Sequence, residues 1–77
     1  MNMNIFEIFT DSFTYLERAP SMQAAIFSFH SEFGKKEIIA IIDTTNLNPA
    51  QYRLIVKSIQ DTYSLLYHHD LKLPVSG

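Results

Sequence analysis

Apolar positions recur at helical spacing most clearly between Leu47 and Tyr67. Tyr52, Ile55, Val56, Ile59, Tyr63 and Leu66 fall three or four residues apart, the pattern of a long amphipathic helix. Asn48 is a preferred N-cap, Pro49 sits where a missing N–H costs least, and Gln51 follows three residues after the cap. Together they make an Asn-x-x-Gln capping box, with Leu47 and Tyr52 placed as its hydrophobic staple.

The same logic predicts a first helix over residues 4–18. Asn4 and Glu7 form a second capping box, with Met3 and Ile8 as the staple pair. Ile5, Ile8, Phe9, Phe13 and Leu16 then line an apolar stripe, and Glu7, Asp11 and Glu17 make the other side acidic. Pro20 ends this helix at or before Ala19.

Residues 21–45 match two templates. As strands, Ala25, Phe27 and Phe29 alternate with Ile26, Ser28 and His30, and a β-branched run from Ile38 to Ile42 is broken only by Ala40. The polar stretch from Glu32 to Glu37, with Gly34 inside it, would join them as a hairpin. As a helix, Met22, Ile26, Phe29 and Phe33 fall on one face, with Ser21 as N-cap and Gly34 beyond the end. The isoleucine-rich run is poor helix material, which favours the hairpin.

The predicted fold is therefore α+β in the order helix, hairpin, helix (αββα), with both helices on one face. One domain is expected over residues 1–77, with an irregular tail from about residue 71 that includes Pro74 and Gly77. An isolated two-stranded hairpin is marginal in water. Its second strand would be apolar on both sides, Ile39 and Ile41 one way and Ile38, Ala40 and Ile42 the other. The uncovered face or edge then calls for a second chain, most simply a homodimer that joins two hairpins into a four-stranded sheet.

Composition sharpens this expectation. The chain has 77 residues, near the lower limit for a self-sufficient core, and 47% of them are hydrophobic against 18% charged. There is no cysteine, so neither a disulfide nor a thiolate metal site adds stability. A net charge of −2 argues against general nucleic-acid binding. No apolar run reaches the roughly 20 residues that span a bilayer, and no secretory signal is evident, so a cytoplasmic location is expected.

The candidate chemistry is sparse. His68, His69 and Asp70 stand together, but neighbours on a helix point about 100° apart, so two such histidines cannot share one metal on one face. Contacts with free carbonyls at the helix C-terminus explain them better. His30, with Ser28, Ser31 and Glu32 as mere sequence neighbours, lacks an arranged nucleophile and orienting acid. No glycine-rich phosphate loop exists among only two glycines.

Lys35 and Lys36, with Arg53 and Lys57, are the only basic clusters. They permit an alternative all-α fold with a helix-turn-helix: residues 37–43 as the first helix, 44–48 as the turn, then a recognition helix opening with Asn48, Gln51 and Arg53. The turn lacks its usual glycine, and capping already explains Asn48 and Pro49.

The remaining signal is surplus apolar surface. Leu54 and Leu65 fall off the main stripe, as do Phe6, Tyr15 and Phe27. The expected function is non-enzymatic protein–protein contact by a small regulatory, inhibitory or adaptor protein of bacterial or viral type. Its partner is another protein or a second copy of itself, and no catalytic, metal or cofactor site is expected. The contact would use the hairpin at Ile38, Ala40 and Ile42, the off-stripe Leu54 and Leu65, and the acidic Glu7 and Asp11.

Overall fold

The computed structural model describes residues 2–71, so the expected tail at Pro74 and Gly77 lies outside the described residues. Its elements are β1 (Asn4–Phe9), β2 (Thr14–Ala19), α1 (Met22–Phe33), β3 (Ala40–Asp43) and α2 (Pro49–Tyr67). The fold is α+β, but its order is ββαβα rather than αββα. The sheet order is β2-β1-β3, and β1 pairs antiparallel with both neighbours. β2 and β3 are thus parallel to each other with β1 between them, and α1 is the crossover of a split βαβ unit.

The first predicted helix is instead the β1–β2 hairpin. Its turn is built by Thr10, fully buried, whose hydroxyl accepts the Phe13 N–H at 3.0 Å and donates to the Phe13 carbonyl at 2.8 Å. Asp11 and Ser12 form the tip, and the flanking Ile, Phe, Thr and Tyr are strand-favouring residues. The two residues expected to cap a helix make long-range bonds instead. Asn4 Nδ2 donates to Asp43 at 2.8 Å, and Glu7 accepts from the Tyr52 hydroxyl at 2.6 Å. Pro20 does act as a stop, directly after the strand β2.

Residues 22–33 take the helical template, correcting the expected hairpin. Ser21 Oγ caps α1 by accepting the Ala24 N–H at 3.1 Å. Gly34 closes it at φ 69°, ψ −139°, with its N–H on the His30 carbonyl at 2.9 Å. A Cβ at Gly34 would meet nothing within 4 Å. Gly34→Ala therefore carries backbone strain alone, about 1–2 kcal/mol, seen as a lower urea midpoint at unchanged slope. An unchanged midpoint would contradict this helix ending. The isoleucine run does yield a strand, β3, but β3 pairs with β1 rather than with residues 25–30.

Both faces of the sheet are covered, which corrects the expectation of two helices on one face. Phe6 and Ile8 point one way; there Phe6 packs with Ala19, Ala25, Ala24 and Ile41. On that same side Phe29 of α1 stands against Tyr15, with ring centroids 6.1 Å apart. Glu7 and Phe9 point the other way, under α2. All four of these central β1 residues are buried. A strand apolar on both faces needs a layer on each side, and one helix supplies each.

α2 forms as expected. The Asn48 side chain accepts the Gln51 N–H at 2.8 Å, and the Gln51 side chain accepts the Asn48 N–H at 3.1 Å. Its far end is closed by His68 in the left-handed region at φ 60°, N–H to the Ser64 carbonyl at 2.8 Å.

Candidate functional site

The site grows from the way β3 is held. The Thr44 N–H donates to the Ile5 carbonyl at 2.8 Å, so Ile5 and Thr44 lie at a hydrogen-bonded position of the antiparallel ladder. Such positions alternate, which makes Glu7–Ile42 the next bonded pair. The N–H and C=O groups of Ile41 and Asp43 therefore point away from β1, towards the open side of the sheet. Among the described residues no strand lies there.

The two sheet edges differ. The β2 edge carries Glu17 and Arg18, charges of the kind that discourage strand pairing, while β3 carries one, Asp43 at its end. α2 lies over the β1–β3 side of the sheet: Tyr52 reaches Glu7 on β1, and its C-terminal half stands beside residues 37–40. Between α2 and the approach to β3 runs a groove of about 380 Å³, walled by Ile38, Ile39, Ala40, Ile59, Tyr63 and Leu66 together with the polar Glu37, Ser58 and Thr62. Leu66 on its rim is 65% exposed.

The electrostatics hold this arrangement in place. Burial, then the hydrogen bond and negative charge of Glu7, push the Tyr52 phenol up to about 12. Asp43, at the end of β3, is held below the usual carboxylate range by the hydroxyl and N–H of Thr45, at 2.6 and 3.0 Å, and by Asn4. The carboxylate thus fastens the strand end to the following turn and to β1.

The residues expected at an interface divide. Ile38 and Ala40 line the groove together, half-buried. Leu54 and Leu65 lie on the outer side of α2, 70% and 77% exposed, with the exposed Asp61 between them. Ile42 is buried beneath α2 and presents no side chain to a partner. Glu7 is likewise buried and engaged by Tyr52, so it forms no acidic surface. Asp11 is exposed at the hairpin tip, bridged to Lys36 at 2.7 Å, which holds its carboxyl below the usual range. Sequence reasoning missed the groove walls contributed by Ile59, Tyr63 and Leu66. They belong to the α2 stripe, which runs past the end of the sheet it covers.

The other candidates have structural roles. His69 donates from Nδ1 to the Tyr67 carbonyl at 2.9 Å, which leaves Nε2 to accept from the Tyr63 hydroxyl at 3.2 Å. This is the helix-terminus role expected of it. His30 is exposed on α1. Residues 37–43, the expected first helix of a helix-turn-helix, are a short irregular approach followed by the strand β3, so the all-α alternative fails. Lys36 and Lys57 are paired with Asp11 and Asp61. Among the described residues no His, Asp and Glu cluster suited to a metal ion occurs, and no helix is long and apolar enough to cross a membrane.

The geometry defines a small α+β protein with an open three-stranded sheet and a mixed apolar and polar groove beside its β3 edge. Comparisons with known protein families, curated proteins and solved structures find no significant match to this chain.

Proposed function

We propose that this chain is a small non-enzymatic binding protein, regulatory, inhibitory or adaptor in role. It works by pairing the bare edge of β3 with an extended segment of protein. The observation that carries this reading is the run of outward N–H and C=O groups at Ile41 and Asp43, with a groove beside the approach to the same strand. Strand addition draws affinity from main-chain bonds and specificity from alternate side chains set in pockets. Ile38, Ala40 and Leu66 supply such a pocket beside β3. Polar groups that could do chemistry, Glu7 and His69 among them, are engaged in fold contacts, which favours binding over catalysis.

Panning a displayed library of random peptides tests this. Selected peptides should be rich in β-branched residues, and they should slow amide exchange at Ile41 and Asp43. Leu66→Glu, a change at an exposed position, should weaken them about tenfold or more, roughly 1.4 kcal/mol. Failure to enrich any peptide, or selected peptides that leave both amides unaffected, would contradict the reading.

A further inference from the structure

The groove beside β3 carries one charge, and that charge narrows what the edge would take. We infer that the segment paired with β3 presents a basic side chain, arginine best, to Glu37 and Tyr67; this rests on the strand-pairing reading above.

Ile42 lies beneath α2, and Ala40 and Ile38, the next alternate residues back along the chain, line the groove. A segment laid along the outer side of β3 sets alternate side chains on that same side of the sheet, about 6.6 Å apart. Those that pass Ala40 and Ile38 meet the groove, whose far wall is the C-terminal half of α2.

Charge along this path has one sign. Glu37 is the one charged residue lining the groove; it is exposed, and among the described residues it makes no ion pair. Between Glu37 and Asn48 the chain has no basic residue, and its other charge there is Asp43. Lys35 and Lys36 precede Glu37, but they line a separate hollow against α1, with Ile26 and His30, which Glu37 also borders. Lys36 is taken by Asp11 at 2.7 Å. A segment that follows β3 back to its approach therefore meets carboxylates first.

The groove also suits the shape of such a side chain. Tyr67 lines it and is 49% exposed, with its ring 4.6 Å from that of Tyr63. A guanidinium is planar, so it can stack on an open tyrosine ring and still donate to a carboxylate. Its methylene stem can lie on the apolar wall at Ile38 and Ile59, and the hydroxyls of Ser58 and Thr62 can accept its remaining N–H groups. Lysine offers Glu37 only a point charge, and a glutamate would bring like charges together. The expected order of preference is Arg, Lys, Gln, Glu.

Fluorescence anisotropy of labelled valine–threonine peptides, titrated with the whole chain, tests the inference. The peptides differ only in carrying Arg, Lys, Gln or Glu at one scanned position, and amide exchange at Ile41 and Asp43 is read in the same complexes. At one position Arg should bind about three- to tenfold more tightly than Gln, with Glu weakest, and the preference should shrink in high salt. Glu37→Gln, at an exposed position, should remove the preference for Arg and leave the Gln peptide unchanged. Glu37→Lys should reverse it in favour of Glu. Peptides that slow both amides with no preference for Arg, or with a preference that neither variant moves, overturn the inference and leave strand addition standing. If no peptide slows the two amides, strand addition falls and the inference falls with it.

Discussion

Phe29→Ala is expected to destabilise the protein by about 3–5 kcal/mol, whereas Phe27→Ala, two residues away, should cost no more than about 0.5 kcal/mol. Phe29 is fully buried, and its ring lies 4.8–6.3 Å from those of Phe13, Tyr15 and Phe33. Truncation removes that burial and leaves a cavity that the hairpin on one side and α1 on the other cannot both close. A 77-residue fold has only about 4–12 kcal/mol of stability in total, so this one change removes a large part of it. Phe27 is 75% exposed on the other side of the same helix and has little burial to lose. Urea unfolding of the two variants decides the matter. Equal losses would mean that α1 is rotated or that residues 25–30 form a strand, where Phe27 and Phe29 would share a face.

The second large effect lies at the join between α2 and the sheet. Tyr52→Phe leaves the buried Glu7 carboxylate without its donor, an expected loss of about 2–3 kcal/mol. Replacing both partners, as in Glu7→Leu with Tyr52→Phe, should recover much of that loss, because no buried charge is then left unpaired. The pair also fixes a pH dependence. The Tyr52 phenol rises from about 10 when unfolded to about 12 when folded, so the folded state holds its proton more tightly. The stability it contributes is fully present below about pH 10 and is lost as pH rises through about 12. The gap between wild type and Tyr52→Phe should therefore narrow across that window in chemical denaturation. A constant gap would mean that the phenol is not the group holding α2 down.

Much of this arrangement is legible in the sequence, and the misreadings share one cause. The start of α2 is set by adjacent residues, Asn48, Pro49 and Gln51, so its capping box can be read without knowing the fold. Ser21 and Gly34 delimit α1 equally locally, but the helical spacing of Met22, Ile26, Phe29 and Phe33 competes with an alternation through the same residues. Residues 4–18 fit both periods as well. There, Asn4 and Glu7 resemble a capping box, while their partners, Asp43 and Tyr52, are 39 and 45 residues away. Thr10 was the available local signal, since Thr-Asp-Ser between two runs of β-branched and aromatic residues is turn chemistry.

The candidate site follows the same division. Ile38 and Ala40 are legible because the β-branched run from Ile38 to Ile42 marks a strand and its approach. Ile42 differs from them because it lies beneath α2, a tertiary fact. Leu54 and Leu65 are exposed as their position off the stripe implies. Leu66 is on the stripe and still exposed, because α2 extends beyond the sheet that its stripe covers.

Residue-resolved amide exchange at low micromolar concentration tests the bare edge most directly. Ile42 and Thr44, whose N–H groups turn inward to β1, should exchange slowly, while Ile41 and Asp43 between them exchange close to solvent rates. Equal protection at all four positions in the monomer would mean that β3 is already paired on both sides, leaving no edge to bind through.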